Sequence, residues 1–261
     1  MDTTAQDEPA GNRTSQILGL ILGPGVIYLL LISGLAATLG SGLLAVLAWL
    51  IGSAAAFQYS TPGYWIATTL FYAAGFGGWL YYIYRRVCGQ PLARLNRRPG
   101  TLGADLRAGL ALFVVVLVLC RLFYWLQLSY LPLSSTTYIE DTLQAMLLSP
   151  WSIVMLVGPY SFLAAGFMEE LCRCFLLERA WTLWPDRTSV YTAIGIAAVV
   201  FGLCHLYQGP AGVVNTAFFG LLMALYYWKY GRMVPMMLAH GLYTAALSLE
   251  GFLYMYAYGG Y

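Results

Sequence analysis

Runs of about 20 mainly apolar residues recur along nearly the whole chain, and that is the length an α-helix needs to cross the hydrocarbon core of a bilayer. Of the 261 residues, 60% are hydrophobic and only 9% are charged, whereas about a quarter of a soluble globular domain is charged. The fold class this predicts is all-α: a polytopic membrane protein, a bundle of about eight transmembrane helices. A net charge of +2, with no basic stripe carrying interleaved aromatics, leaves the lipid bilayer as a partner and gives no nucleic-acid partner. The five cysteines are an odd number, and most fall within apolar runs. They read as small buried side chains, not as a disulfide framework.

In chain order, residues 1–16 are polar, with Asp2, Asp7, Glu8 and Arg13, and read as a disordered tail. Ile17 to Phe57 supplies two spans, with the turn expected at Thr38-Leu39-Gly40-Ser41-Gly42 and a kink at Gly23-Pro24-Gly25. A third span runs from Tyr64 to Tyr84 and a fourth from Ala108 to Tyr130. Between them, residues 85–107 carry Arg85, Arg86, Arg94, Arg97, Arg98 and Arg107 against Asp105 as the single acid. The positive-inside rule makes this loop cytoplasmic. Arg121, inside the fourth span, calls for a partner such as Glu250. Thr136 to Leu148, with Glu140 and Asp141, suits a helix lying along the interface. Four more spans follow within 151–252, near Trp151–Trp184, Ser189–Tyr207, Ala211–Tyr230 and Met233–Phe252. The chain thus divides into residues 17–130, four N-terminal spans with the basic loop 85–107, and a four-span half at 151–252. An even number of spans, with this charge bias, places both termini outside. Arginine far outnumbers lysine, Lys229 being the one lysine. That bias suggests a GC-rich genome and hence a bacterial cell membrane.

The fifth span carries Glu169, Glu170 and Arg173 at a depth where even one charge costs about 2.5–3.5 kcal/mol. His205 and His240 are the only two histidines, and each stands in an apolar run. Arg173 lies four residues after Glu169 and three after Glu170, so on a helix it can reach either carboxylate. Two adjacent acids, one paired and one not, suit a site that holds one group ionised and leaves the other to take a proton. The same residues also read as an ion-pair cluster pinning helices together. His205 follows Phe201 by one turn. His240 has Thr244 one turn on, and Gly241 beside it allows a second helix or a substrate to come close. Glu169, His205 and His240 form a possible zinc ligand set. The chain has no His-Glu-x-x-His and no Cys-x-x-Cys, however, so a site without cofactor is the better reading.

Three motifs stand in order: Glu169-Glu170-Leu171-Cys172-Arg173, Phe-x-x-x-His at Phe201 to His205, and His-x-x-x-Thr at His240 to Thr244. Together they resemble those of the CPBP family, the CAAX-processing and bacteriocin-processing intramembrane proteases. The resemblance covers about residues 151–249. It implies that Glu169 activates a water with help from His205, that His240 with Thr244 polarises the scissile carbonyl, and that Glu170, Arg173 and Phe201 support the site. The family pattern places the arginine one position later, where this chain has Cys174, so the guanidinium is turned by about 100° around the helix. The family also has Asn or Asp where Thr244 stands. The expected activity is an endopeptidase acting on a membrane-associated protein or peptide. The alternatives are a non-catalytic scaffold or bacteriocin-immunity protein of the same family, and a zinc-dependent membrane protease.

Overall fold

The computed structural model of the protein describes residues 12–57, 61–131, 133–134 and 149–258. The polar segment before residue 12 and the interfacial helix expected over Thr136 to Leu148, with Glu140 and Asp141, lie outside them. The described residues form eight helices and no strand. These are α1 (Arg13–Ile32), α2 (Leu35–Leu50), α3 (62–86), α4 (Leu102–Tyr130), α5 (150–183), α6 (Arg187–Leu203), α7 (Gly209–Tyr230) and α8 (Met233–Tyr258). The protein is an all-α polytopic membrane protein.

Three helices contain a π-helical stretch: α1 at Ile21–Gly25, α3 at Phe71–Phe76 and α5 at Leu156–Glu169. Pro24 lies in the first and Pro159 in the last. A proline inside a helix cannot donate its backbone hydrogen bond and its ring crowds the preceding turn, so the wider turn relieves both problems.

Contacts between helix ends fix the direction of each helix. Gln16, in the first turn of α1, accepts a hydrogen bond from Arg179 near the end of α5. Tyr84, near the end of α3, donates to Glu178 at 3.3 Å. Arg97 lies against the stacked rings of Trp181 (4.8 Å) and Tyr227 (4.9 Å) and donates to the Tyr227 carbonyl at the end of α7 (2.9 Å). Arg232, just before α8, pairs with Asp105 in the first turn of α4. The arginine-rich segment therefore folds onto one end of the bundle and ties helix ends together, beyond marking topology. From this basic end α1, α4, α6 and α8 run outward, and α3, α5 and α7 return.

Two expectations change as a result. Helix α1 starts at Arg13, capped by the Asn12 side chain, and Gln16 is buried; residues 12–16 are ordered and belong to the bundle. The turn after α1 falls at Ser33-Gly34, where Gly34 adopts φ +76°, a left-handed conformation that glycine takes without a steric penalty. Thr38 to Gly42 instead lie inside α2, with the Thr38 hydroxyl donating to the Gly34 carbonyl (3.4 Å). The end of α1 and the start of α3 both lie at the end away from the basic loop, so α2 joins two points on one side and adds no crossing. Leu35, Leu39, Val46 and Trp49 along it are exposed. The described chain therefore begins and finishes at opposite ends of the bundle, where eight alternating spans would have returned it to the same end.

Helix association in lipid relies on close packing, because the hydrophobic effect that drives it in water is absent there. At the crossing of α5 and α8, a Cβ at Gly166 would stand 2.5 Å from the Met237 carbonyl oxygen, and one at Gly241 would stand 2.5 Å from the Phe162 ring. The two glycines bring the α8 backbone against the π stretch of α5. Arg121 of α4 pairs with Glu250 of α8, as its depth demanded. All five cysteines are buried and free.

Candidate active site

The π stretch of α5 ends at Glu169, and α-helical pitch resumes at Glu170, so the two carboxylates leave the helix where its winding changes. They enter different surroundings. Glu170 is fully buried and pairs with Arg173, three residues on. Its Oε1 also accepts from Nδ1 of His240 at 2.7 Å. The Glu169 side chain remains 24% exposed and faces a cavity of about 290 Å³.

Arg173 is fully buried, with its guanidinium 4.1 Å from the Phe201 ring centroid and 5.9 Å from that of Phe219. Its position, one residue earlier than in the family pattern, still lets it neutralise Glu170, because i and i+3 share a helix face. Phe201 in turn lies 4.9 Å from the His205 ring and 6.0 Å from the His240 ring, between centroids. Phe219, which the sequence gave no reason to single out, packs 4.6 Å from His240.

His205 sits just past the end of α6, on the turn toward α7, and lines the same cavity as Glu169. Its Nδ1 lies 2.9 Å from the Phe201 carbonyl oxygen. That oxygen can only accept, so Nδ1 carries the hydrogen and Nε2 of the neutral ring carries the lone pair. His240 is buried one layer behind, reached through the Gly166–Gly241 crossing. With Nδ1 on Glu170, its Nε2 stands 3.6 Å from Oε2 of Glu169. That exceeds hydrogen-bonding distance but is close enough for both atoms to touch one water. Neither His240 nor Thr244 is among the side chains lining the cavity, and Thr244 is half-buried one turn further along α8.

The structure thus gathers Glu169, Glu170, Arg173, Phe201 and His240 into one contact network and sets His205 on the cavity that Glu169 faces. Among the described residues no group of three His, Cys, Asp or Glu side chains stands at metal-binding spacing.

A second buried polar cluster lies at the basic end and escaped the sequence reading. Glu178 and Arg179 pair with each other and reach Tyr84, Gln16 and Arg94. Adjacent opposite charges near a helix end look like solvated residues, and only the docking of α1 and α3 buries them.

Gly34, Leu206 and Tyr207, in the turns at the end opposite the basic loop, also line the cavity. Tyr28 of α1 lies in its wall, a residue that nothing in the sequence distinguished from the other tyrosines. Residues 150–246 match the family described as Rce1-like, the type II CAAX prenyl endopeptidases. No curated protein and no solved structure matches the chain. The matched segment contains all three motifs, and so over residues 150–246 the chain is similar to the type II CAAX prenyl endopeptidases.

Proposed function

We propose that the protein is an intramembrane endopeptidase that hydrolyses a peptide bond of a membrane-associated protein or peptide, with Glu169 as general base. One observation carries this reading. Of two adjacent acids, Glu170 has its charge matched by Arg173, while Glu169 faces a cavity that it shares with His205. A water donating one O–H to Glu169 and the other to Nε2 of His205 is oriented and activated by both. As its oxygen attacks the carbonyl carbon, Glu169 takes the proton and later delivers it to the leaving amine. His240, fixed by Glu170 with its Nε2 3.6 Å from Glu169, polarises the scissile carbonyl together with Thr244. The site works without a bound cofactor.

The basic end marks the cytoplasmic side, so the cavity opens toward the other face of the membrane. The rival reading, a scaffold or immunity protein using the same residues as structural glue, is separated by one assay. Purified protein in lipid nanodiscs is given a farnesylated CAAX peptide and an unprenylated transmembrane peptide, and products are read by mass spectrometry. The enzyme reading expects cleavage of at least one peptide by the wild type and none by a folded Glu169→Gln variant. Equal product from both proteins, or none from either, leaves the scaffold.

A further inference from the structure

Arginines of two kinds stand at the basic end. Arg94, Arg97, Arg179 and Arg232 are engaged inside the protein: on Gln90 and Glu178, on the Trp181 and Tyr227 rings, on Glu178, and on Asp105. Arg85 and Arg86, in the last turn of α3, are exposed, and their guanidinium groups form no ion pair or hydrogen bond among the described residues. With Tyr81 and Tyr82 one turn before them they wall a groove of about 360 Å³. Residues four apart share a helix face, so Tyr81 stands over Arg85 and Tyr82 over Arg86. No acid lines this groove. We propose that it binds the phosphate of an anionic phospholipid in the cytoplasmic leaflet.

The opposite face of α3, with Leu80, Ile83 and Tyr84, is buried against the bundle, so the groove lies on the outer surface. Along that surface the exposed side chains change in the order in which a bilayer changes. Ile66 and Leu70 come first, then Trp79, Tyr81 and Tyr82, then Arg85 and Arg86. The series covers roughly 25 Å, against a hydrocarbon core about 30 Å thick. The rings therefore lie at the interface and the guanidinium groups at the level of the phosphates. The aromatic wall is fixed from behind: Nε1 of Trp79 donates to the Leu22 carbonyl of α1 at 2.8 Å, and its ring stacks on that of Tyr82 with centroids 6.2 Å apart. Two guanidinium forks and two phenolic O–H groups are the donors that phosphate oxygens accept from. Free phosphate offers the same oxygens but no acyl chain to lie along Leu70 and Ile66, which is why a lipid suits this surface better.

The test uses full-length protein in neutral detergent micelles, titrated with dihexanoyl phosphatidylglycerol, dihexanoyl phosphatidylcholine or inorganic phosphate, with bound ligand counted by native mass spectrometry. Wild type is compared with Arg85→Gln plus Arg86→Gln, and with Arg98→Gln plus Arg107→Gln, which removes the same charge from exposed positions at the same end but off the groove. A thermal melt accompanies each protein. Phosphatidylglycerol should bind wild type more tightly than phosphatidylcholine does. The first variant should weaken it about 30-fold, the scale of losing two interfacial arginines, and the second should change it little. If the first variant melts early, Arg85→Lys plus Arg86→Lys, which keeps the charge and loses the forks, replaces it; weaker binding then supports the lipid site and wild-type binding overturns it. Equal losses in the two glutamine variants, or equal affinity for the two lipids, overturn the site. Displacement of phosphatidylglycerol by inorganic phosphate at equal concentration overturns the lipid as its occupant. Each of these outcomes leaves the proteolytic reading as it stands.

Discussion

Nδ1 of His240 donates to Oε1 of Glu170 across 2.7 Å, although 70 positions separate the two residues. The bond ties α8 to α5 at the level of the cavity and leaves Nε2 directed at Glu169. Because Glu170 also pairs with Arg173, a single carboxylate oxygen anchors a cation and an imidazole at once. The consequence is a division between neighbouring acids, with Glu170 bound into the architecture and Glu169 facing the cavity.

That division is directly testable. Glu169→Gln and His205→Ala should each lower the cleavage rate by about 10²–10⁴-fold, the range of general acid–base contributions, while leaving the thermal melt near wild type. Paired kinetic and melting measurements on purified protein decide this; a large loss of stability in Glu169→Gln would count against its assignment as base.

Substitution at Arg173 should behave in the opposite way. Arg173→Ala leaves the fully buried Glu170 carboxylate without its partner, and breaking a buried pair from one side costs about 3–5 kcal/mol. Denaturant titration of the folded protein should register this loss. Glu170→Gln combined with Arg173→Met, which removes both charges together, should be milder than Arg173→Ala alone.

The crossing of α5 and α8 predicts a steric effect. Gly166→Ala places a methyl 2.5 Å from the Met237 backbone oxygen, and backbone cannot move aside as a flexible side chain can. Overpacking of this kind costs about 1–3 kcal/mol, and it also shifts His240 away from Glu170. Both the melting temperature and the cleavage rate should fall, whereas the same change at Gly78, where an added Cβ meets nothing, should leave both unchanged.

Orientation in the membrane follows from the charge at the basic end. A cysteine introduced at Leu206, exposed at the cavity mouth, should react in intact cells with a membrane-impermeant maleimide. One at Arg98 should react only after lysis. The five native cysteines are buried, so background labelling is low; the reverse pattern would place the cavity on the cytoplasmic side.

Chelation bears on the chemistry. A tightly binding zinc chelator, added to active protein, should leave the rate unchanged under the proposed cofactor-free mechanism, in which Glu169 and His205 activate the water. Loss of activity on chelation with recovery on added zinc would contradict the cofactor-free mechanism.

The sequence by itself determined the class of molecule, because hydropathy over about 20 residues is a local property that no distant contact can alter. It also picked out Glu169, Glu170, Arg173, His205 and His240, since charge inside an apolar run is conspicuous wherever it occurs. Tertiary structure alone decided what each of them faces. Which acid meets the cavity depends on the change from π to α pitch at Glu169. The layer His240 occupies depends on two glycines 75 residues apart, Gly166 and Gly241, letting backbones touch. Whether Leu35–Leu50 crosses the bundle depends on where its neighbours begin and end, as does the burial of Gln16, Tyr28, Glu178 and Arg179. Those outcomes come from long-range packing, which a window of hydropathy does not register.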